Sequence, residues 1–185
     1  MNAEHLQRFA VFVFDHEARK DKDGNRPAIY ELPPNDGGGR YEIAGINERY
    51  DLETVTRLVK LIQRKEFGIA QAVCRAYYVS NTNAVATWST SPAIEFFLRD
   101  TAFNRGVRGA AKIAQMAVDT QVDGNVGPIT RAALAKADPL VLLGRLRIAC
   151  ANYEDAVAGA RPNLRQGLIN RWNDRLAFAK TFLPA

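Results

Sequence analysis

Only two cysteines and two histidines occur in the 185 residues. Cys74 and Cys150 each lie inside an apolar helical pattern, with no histidine at metal-ligand spacing. That arrangement argues against a disulfide framework and a zinc site, and predicts two buried free thiols. His5 and His16 are too few for a histidine-based metal centre, and no metal or cofactor is expected. No apolar run reaches the length of a membrane span, so stable membrane insertion is not expected. Nor is there a Lys/Arg run or a basic–aromatic ladder, which argues against nucleic acid as the partner. The opening segment, MNAEHLQRFAVFVFDHEARK, lacks a basic n-region and meets charge by Asp15, so it reads as no signal peptide and synthesis in the cytoplasm is expected.

What is present reads as a globular chain, with 47% hydrophobic and 24% charged residues and a net charge of +5. The length suffices for one domain with a real core, in one or two lobes. The positive balance favours an anionic partner, whether nucleic acid, lipid head groups or an acidic polymer such as a bacterial wall, and charge alone does not choose among them. No internal repeat or low-complexity tract appears.

The stretch FVFDHEARKDKDG (Phe12 to Gly24) runs an apolar segment into charge. If residues 4–18 form a helix, at about 100° per residue, then Leu6, Phe9, Ala10, Val13 and Glu17 share one stripe while Asp15 faces away. A carboxylate on a core stripe forgoes about 1–3 kcal/mol of burial, which points to use. Partial burial and the negative end of the helix dipole both favour the protonated carboxyl, as a general acid requires. The structural alternative is a Glu paired with Arg19, Lys20 or a distant arginine.

From Lys20 to Ile46 the chain is rich in Gly and Pro, with short alternating pieces at Ala28–Leu32 and Arg40–Ile46. This predicts a long loop with one small β-hairpin. Asp36, before three glycines, is the notable carboxylate in it, beside Asp21, Asp23, Glu31 and Glu42; a flexible turn is the other reading of the glycines.

Helical periodicity resumes after Asp51, a plausible N-cap, with Leu52, Val55, Val59 and Ile62, then Ile69, Val73 and Ala76. SNTNAVATWSTSP reads as polar loop. Ser91-Pro92, Gly127-Pro128 and Asp138-Pro139 each open a helix. A last helix, 164–182, places Leu164, Leu168, Trp172, Leu176, Ala179 and Leu183 on one face. Tyr77, Tyr78 and Trp88 flank the polar loop and suit stacking on sugar faces, with partial core burial as the alternative; Trp172 reads as core. The class is all-α with one hairpin near the N-terminus.

HEARK…NDGGGRYEIAGI resembles the Glu-ending first helix, Asp-Pro-Gly-Gly turn, Thr and Gly-Ile of glycoside hydrolase family 108, the bacterial and phage N-acetylmuramidases. CRAYYVSN is similar to its basic–aromatic segment, DTAFNRG to its Asp-x-Ala-x-Asn-x-Gly helix end, and GLINRWNDRL loosely to its closing helix. AAKIAQMAVDTQVDGNVGPITRAAL (Ala110 to Leu134) resembles its C-terminal peptidoglycan-binding segment.

The resemblance implies a lysozyme-like helical fold and cleavage of the MurNAc–GlcNAc β-1,4 bond without a cofactor. Glu17 would be the proton donor and Asp36 the second carboxylate; Tyr41 and Asn104, together with Tyr78 and Trp88 from the stacking reading above, would bind substrate. Residues 1–92 would form a catalytic lobe and 93–185 a helical lobe of one muramidase domain. The partner would be bacterial peptidoglycan, reached through a holin or a secretion system, and the protein a monomer. The chain departs from the family in EARK after the first helix, in a longer insert before Asp36, and in Tyr41 at the Thr position, where Tyr41 or Glu42 would hold the water. The rival expectation is a wall-binding or structural component of a phage or secretion apparatus that keeps the scaffold without the chemistry.

Overall fold

The computed structural model describes residues 1–33, 38–157 and 162–184. They form α1 (Ala3–Glu17), β1 (Ile29–Glu31), β2 (Tyr41–Ile43), β3 (Ile46–Asn47), α2 (Leu52–Gln63), α3 (Phe67–Asn81), α4 (Pro92–Ala117), α5 (Pro128–Lys136), α6 (Pro139–Val157) and α7 (Pro162–Lys180). The protein is mostly helical with a small antiparallel sheet near its N-terminus, as the periodicity predicts. The sheet has three strands rather than the two of a hairpin, in the order β1-β2-β3. Arg40–Ile46, read as one strand, folds back at Ala44-Gly45, where both residues have positive φ (52° and 75°) and Ile43 pairs with Ile46. Two central residues of that kind make the tight turn whose twist suits a hairpin. Ala-Gly is a weak signal for it.

The chain divides into two compact units, Leu6–Ser80 and Met1–His5 with Asn81–Ala185. The division falls before the expected lobe boundary after residue 92. Thr82 already belongs with α4, its hydroxyl accepting from Arg99 Nη1 at 3.1 Å.

In the first unit Phe9 and Val13 of α1, Ile43 and Ile46 of the sheet, Val55 and Leu58 of α2, and Ala70, Cys74 and Tyr78 of α3 are buried. Asp51 caps α2 as expected, accepting from the Thr54 N–H and hydroxyl at 2.9 Å each. The expected stripe through α2 and α3 is shifted, for Leu52 and Ile69 are 61% and 51% exposed. Lys65 takes a left-handed φ of 59° and ends α2, so α3 restarts in its own phase and buries Ala70, Cys74 and Tyr78 at i, i+4 and i+8.

The second unit is built on α4, buried on every side from Ala93 to Ala102 and packed against α6 and α7. That helix runs past the expected end near Phe103 to Ala117, broken at Gly106 (φ 70°, ψ 162°). SNTNAVATWSTSP is less polar in place than in composition. Asn83–Thr87 forms a 3-10 turn, and Thr82, Val85 and Trp88 are buried. Ser91 stands at the N-cap of α4 without a side-chain cap bond.

Phe182 stacks on Phe96 and Phe178 lies tilted against it, each at 5.1 Å between ring centroids. Within α7 the buried residues are Trp172, Arg175 and Ala179, whereas Leu168 and Leu176 are half-buried and the Leu164 side chain lies outside the described residues. Arg175 joins that stripe because Asp100 needs it: its Nε and the Arg171 Nη2 donate to the two Asp100 oxygens. The Arg175 Nη1 donates to Thr101 Oγ1 at 2.9 Å. Both thiols are free and buried, as expected.

Candidate functional site

Glu17 closes α1. Phe9, Ala10 and Val13 are buried along its stripe, Glu17 is half-buried and Asp15 is exposed. His16 is exposed and turned back on its own helix, Nδ1 lying 2.9 Å from the Phe12 carbonyl oxygen. The end of α1 is held from its C-terminal side. The Phe14 carbonyl accepts from Ala18 N–H at 2.8 Å and from Arg26 Nη2 at 3.2 Å, and Arg26 also pairs with Asp15 at 2.7 Å. Cationic donors here complement the helix dipole.

Beyond Glu17, residues 21–25 of the insert form an ordered turn. Asp21 Oδ1 accepts from the backbone N–H of Asp23 (2.9 Å) and Asn25 (2.7 Å), and Oδ2 from the Asn25 amide (3.1 Å). These bonds, the Asn25 side chain foremost, hold the Asp21 carboxyl below its usual range. Its oxygens are committed to the turn. The Arg19 guanidinium lies 3.6 Å from the Tyr30 ring centroid.

Asp36 lies outside the described residues. Of the glycines after it, Gly38 and Gly39 have φ of 76° and 88°, and a Cβ on them would stand 2.6 Å from Arg49 Nη1 and 2.7 Å from Asn47 Oδ1. Left-handed backbone and close approach require glycine at both positions. Glu48 Oε2 fixes the return strand, accepting from the N–H of Arg40 (2.7 Å) and Tyr41 (3.3 Å). Tyr41 is half-buried beneath the Arg40 guanidinium, at 4.8 Å.

Of the three expected sugar-stacking residues, Tyr78 and Trp88 are buried and Tyr77 is half-buried. Tyr78 is fully buried and donates its hydroxyl to the Ala44 carbonyl at 2.8 Å, so it braces the β2–β3 turn. Tyr77, half-buried, is the member of that pair facing a groove of about 490 Å³, with Thr54, Arg57 and Val73. Trp88, in the second unit, is 7% exposed and packs as core. Asn104 is half-buried, donates to the Asp100 carbonyl at 2.8 Å, and lines a hollow of about 10 Å³ with Thr101 and Arg171. That is room for about one water.

The Val122–Thr130 motif is a loop fastened to α4. Gln115, 1% exposed, accepts from Gly124 N–H at 2.8 Å and donates to Asp123 Oδ1 (2.7 Å) and the Asn125 carbonyl (2.9 Å). The Gln115 amide, with Asn125 N–H, holds the Asp123 carboxyl below its usual range. Gly124 has φ 83°, and a Cβ there would lie 2.8 Å from Arg108 Cγ. Gly124→Ala is therefore expected to cost about 2 kcal/mol, read as a lower urea midpoint at unchanged m-value. An unchanged midpoint would mean the loop is not fastened as described.

Beside this loop runs a groove along α6 that the periodicity did not announce. One part, about 550 Å³, is lined by Met116, Thr120, Val122, Arg145, Ile148 and Asn152. A second hollow of about 400 Å³ is lined by Val118, Ala133, Lys136, Val141 and again Arg145. Asp119 stands at the mouth, its carboxylate 3.2 Å from Arg145 Nη1. It occupies the left-handed position just past α4 (φ 54°), with Thr120 N–H closing on the Gln115 carbonyl at 3.0 Å. Glycine is the usual residue there, and a Cβ costs about 1 kcal/mol.

Among the described residues no cluster of His, Cys, Asp or Glu suits a metal, and no helix is long and apolar enough to cross a membrane.

Residues 102–177 match a family model described as a "predicted peptidoglycan domain". The match begins within α4 and takes in the 122–130 loop, the expected Ala110–Leu134 segment, α5, α6 and most of α7. It associates this part of the chain with peptidoglycan. The whole chain is similar in fold to a solved structure, SagA of Brucella abortus, with a TM-score of 0.67 and 19% identity over 98% of this chain and 97% of that one. No curated protein matches the sequence.

Proposed function

We propose that the protein is a peptidoglycan hydrolase of the N-acetylmuramidase class, related to glycoside hydrolase family 108, with Glu17 as its general acid. The observation that carries this reading is the place of Glu17, a half-buried carboxyl that ends the apolar stripe of α1. The peptidoglycan match over residues 102–177 supports the substrate class. Glu17 delivers its proton to the glycosidic oxygen as the bond to the MurNAc C1 breaks. A water oxygen then bonds to C1 and gives its proton to a second carboxylate.

Asp36 takes that second role, with Tyr41 or Glu42 placing the water. Asp21 suits that role less, because its oxygens already accept three hydrogen bonds in the turn. The protein acts without a cofactor and as a monomer, made in the cytoplasm and brought to the wall by a holin or a secretion system. Its positive charge favours the anionic wall.

The test is digestion of purified sacculi followed by borohydride reduction and mass analysis of the released fragments. Muramitol ends are expected. Glucosaminitol or anhydro-muramyl ends would overturn the assigned bond or reaction, and sacculi bound without any release would favour the wall-binding alternative. Asp36→Asn should lower turnover while leaving sedimentation with sacculi nearly unchanged. An inert Asp36→Asn beside a crippled Glu42→Gln or Glu31→Gln would move the second carboxylate to the sheet.

A further inference from the structure

We infer that the groove along α6 binds the stem peptide of peptidoglycan, and not its glycan. The inference rests on the peptidoglycan reading above and assigns it a site. Val141, Arg145, Ile148 and Asn152 lie at i, i+4, i+7 and i+11 on α6, so they form one stripe. At 1.5 Å per residue it is about 16 Å long, the span of about five extended residues. Val141 and Ile148 are 59% and 61% exposed, and Val122 across the groove is 47% exposed. Two apolar walls therefore flank a central guanidinium.

The chemistry selects a peptide. Among the described residues none that lines the groove is aromatic, whereas pyranose rings are held by stacking on aromatic faces. Alanine methyl groups and free carboxylates match what is there. The Arg145–Asp119 pair is 56% and 83% exposed, and such a pair adds little to stability, so it opens at small cost. Opened, it presents a carboxylate receptor beside an ammonium receptor, the complement of the zwitterionic end of a diamino-acid side chain. Asp119 also holds a backbone position that glycine would fill with less strain, for an ion pair that returns little. Ligand binding accounts for the carboxylate there.

The probe is the tripeptide L-Ala-γ-D-Glu-meso-diaminopimelate, titrated into the ¹⁵N-labelled full chain. Shifts are expected at Thr120, Val122, Ile148 and Asn152. Arg145→Ala, at an exposed position, should raise Kd at least about tenfold, the loss of one charge-assisted contact. Asp119→Gly should weaken binding several-fold while raising the melting temperature by about 2–4 °C, since the strain is relieved. A merely structural Asp119 would move the melting temperature without the affinity.

Unchanged Kd in Arg145→Ala, or the same shifts produced by chitotetraose, would overturn the assignment. Sedimentation with sacculi separates the two levels of the argument. Equal binding to intact and amidase-stripped sacculi would overturn the stem-peptide site while leaving the peptidoglycan reading in place. No binding to either would overturn that reading itself.

Discussion

Glu17→Gln should lower turnover on peptidoglycan by about 10²–10⁴-fold, the usual worth of a general acid, with the helical circular-dichroism signal intact. The amide keeps the size and hydrogen-bonding reach of the carboxyl and removes only the transferable proton. Because Glu17 sits half-buried at the last residue of α1, the substitution disturbs neither the Phe9–Val13 stripe nor the Phe14 carbonyl bonds that fix the helix end. Binding to sacculi should persist, since it depends on other residues. A variant that keeps more than about a tenth of wild-type activity would remove Glu17 from the acid's role. A variant that loses both activity and its cooperative melt would make Glu17 a structural ion-pair residue.

Asp100→Asn is expected to have the largest effect on stability. Asp100 is fully buried, and Arg171 and Arg175 converge on its two oxygens. The neutral amide would leave two guanidiniums in a desolvated site without a counter-charge, a loss of about 3–5 kcal/mol. In a chain of this size that lowers the melting temperature by about 10 °C.

Burial alone would raise the Asp100 pKa, but the Arg175 and Arg171 charges and hydrogen bonds overcome it and hold the group at about 2, against an unfolded value of 3.8. A depressed folded pKa gives stability that is present above the unfolded value and lost as pH falls through the folded one. The wild type should therefore lose about 2 kcal/mol from this group between pH 4 and pH 2, and the Asn variant none of it. The gap between the two unfolding free energies should narrow over that interval. A gap that stays constant from pH 5 to pH 2 would show that the guanidiniums do not hold the carboxylate.

The helix starts were legible because they are written in adjacent residues: Asp51 before Leu52, and prolines at 92, 128 and 139. The side of each helix that faces inward was less so. The Lys65 reversal resets the phase between α2 and α3, and a stripe drawn through both inherits the error. Tyr78 was recoverable, since it lies four residues after Cys74, a residue already expected to be buried. The Asp100–Arg175 pair joins positions 75 apart and follows no local period, so Arg175 reads as a surface cation until the fold is seen.

Of the candidate site, Glu17 was visible as a charge on an apolar stripe. Asp119 was not, because an aspartate after a helix is ordinary turn chemistry. Arg145 is polar on the face of α6 that the groove uses, and only the geometry gives it a neighbour.

The two thiols have a practical consequence. Cys74 belongs to the first unit and Cys150 to the second, and both are buried. Burial pushes the Cys74 thiol up to about 12 and raises Cys150 as well, so neither is a nucleophile near neutral pH while the fold is closed. Each becomes alkylatable only when its surroundings open. The chain thus carries its own pair of reporters, one per unit, and mass-resolved alkylation in rising urea distinguishes a single concerted unfolding from two separate ones without any engineered label.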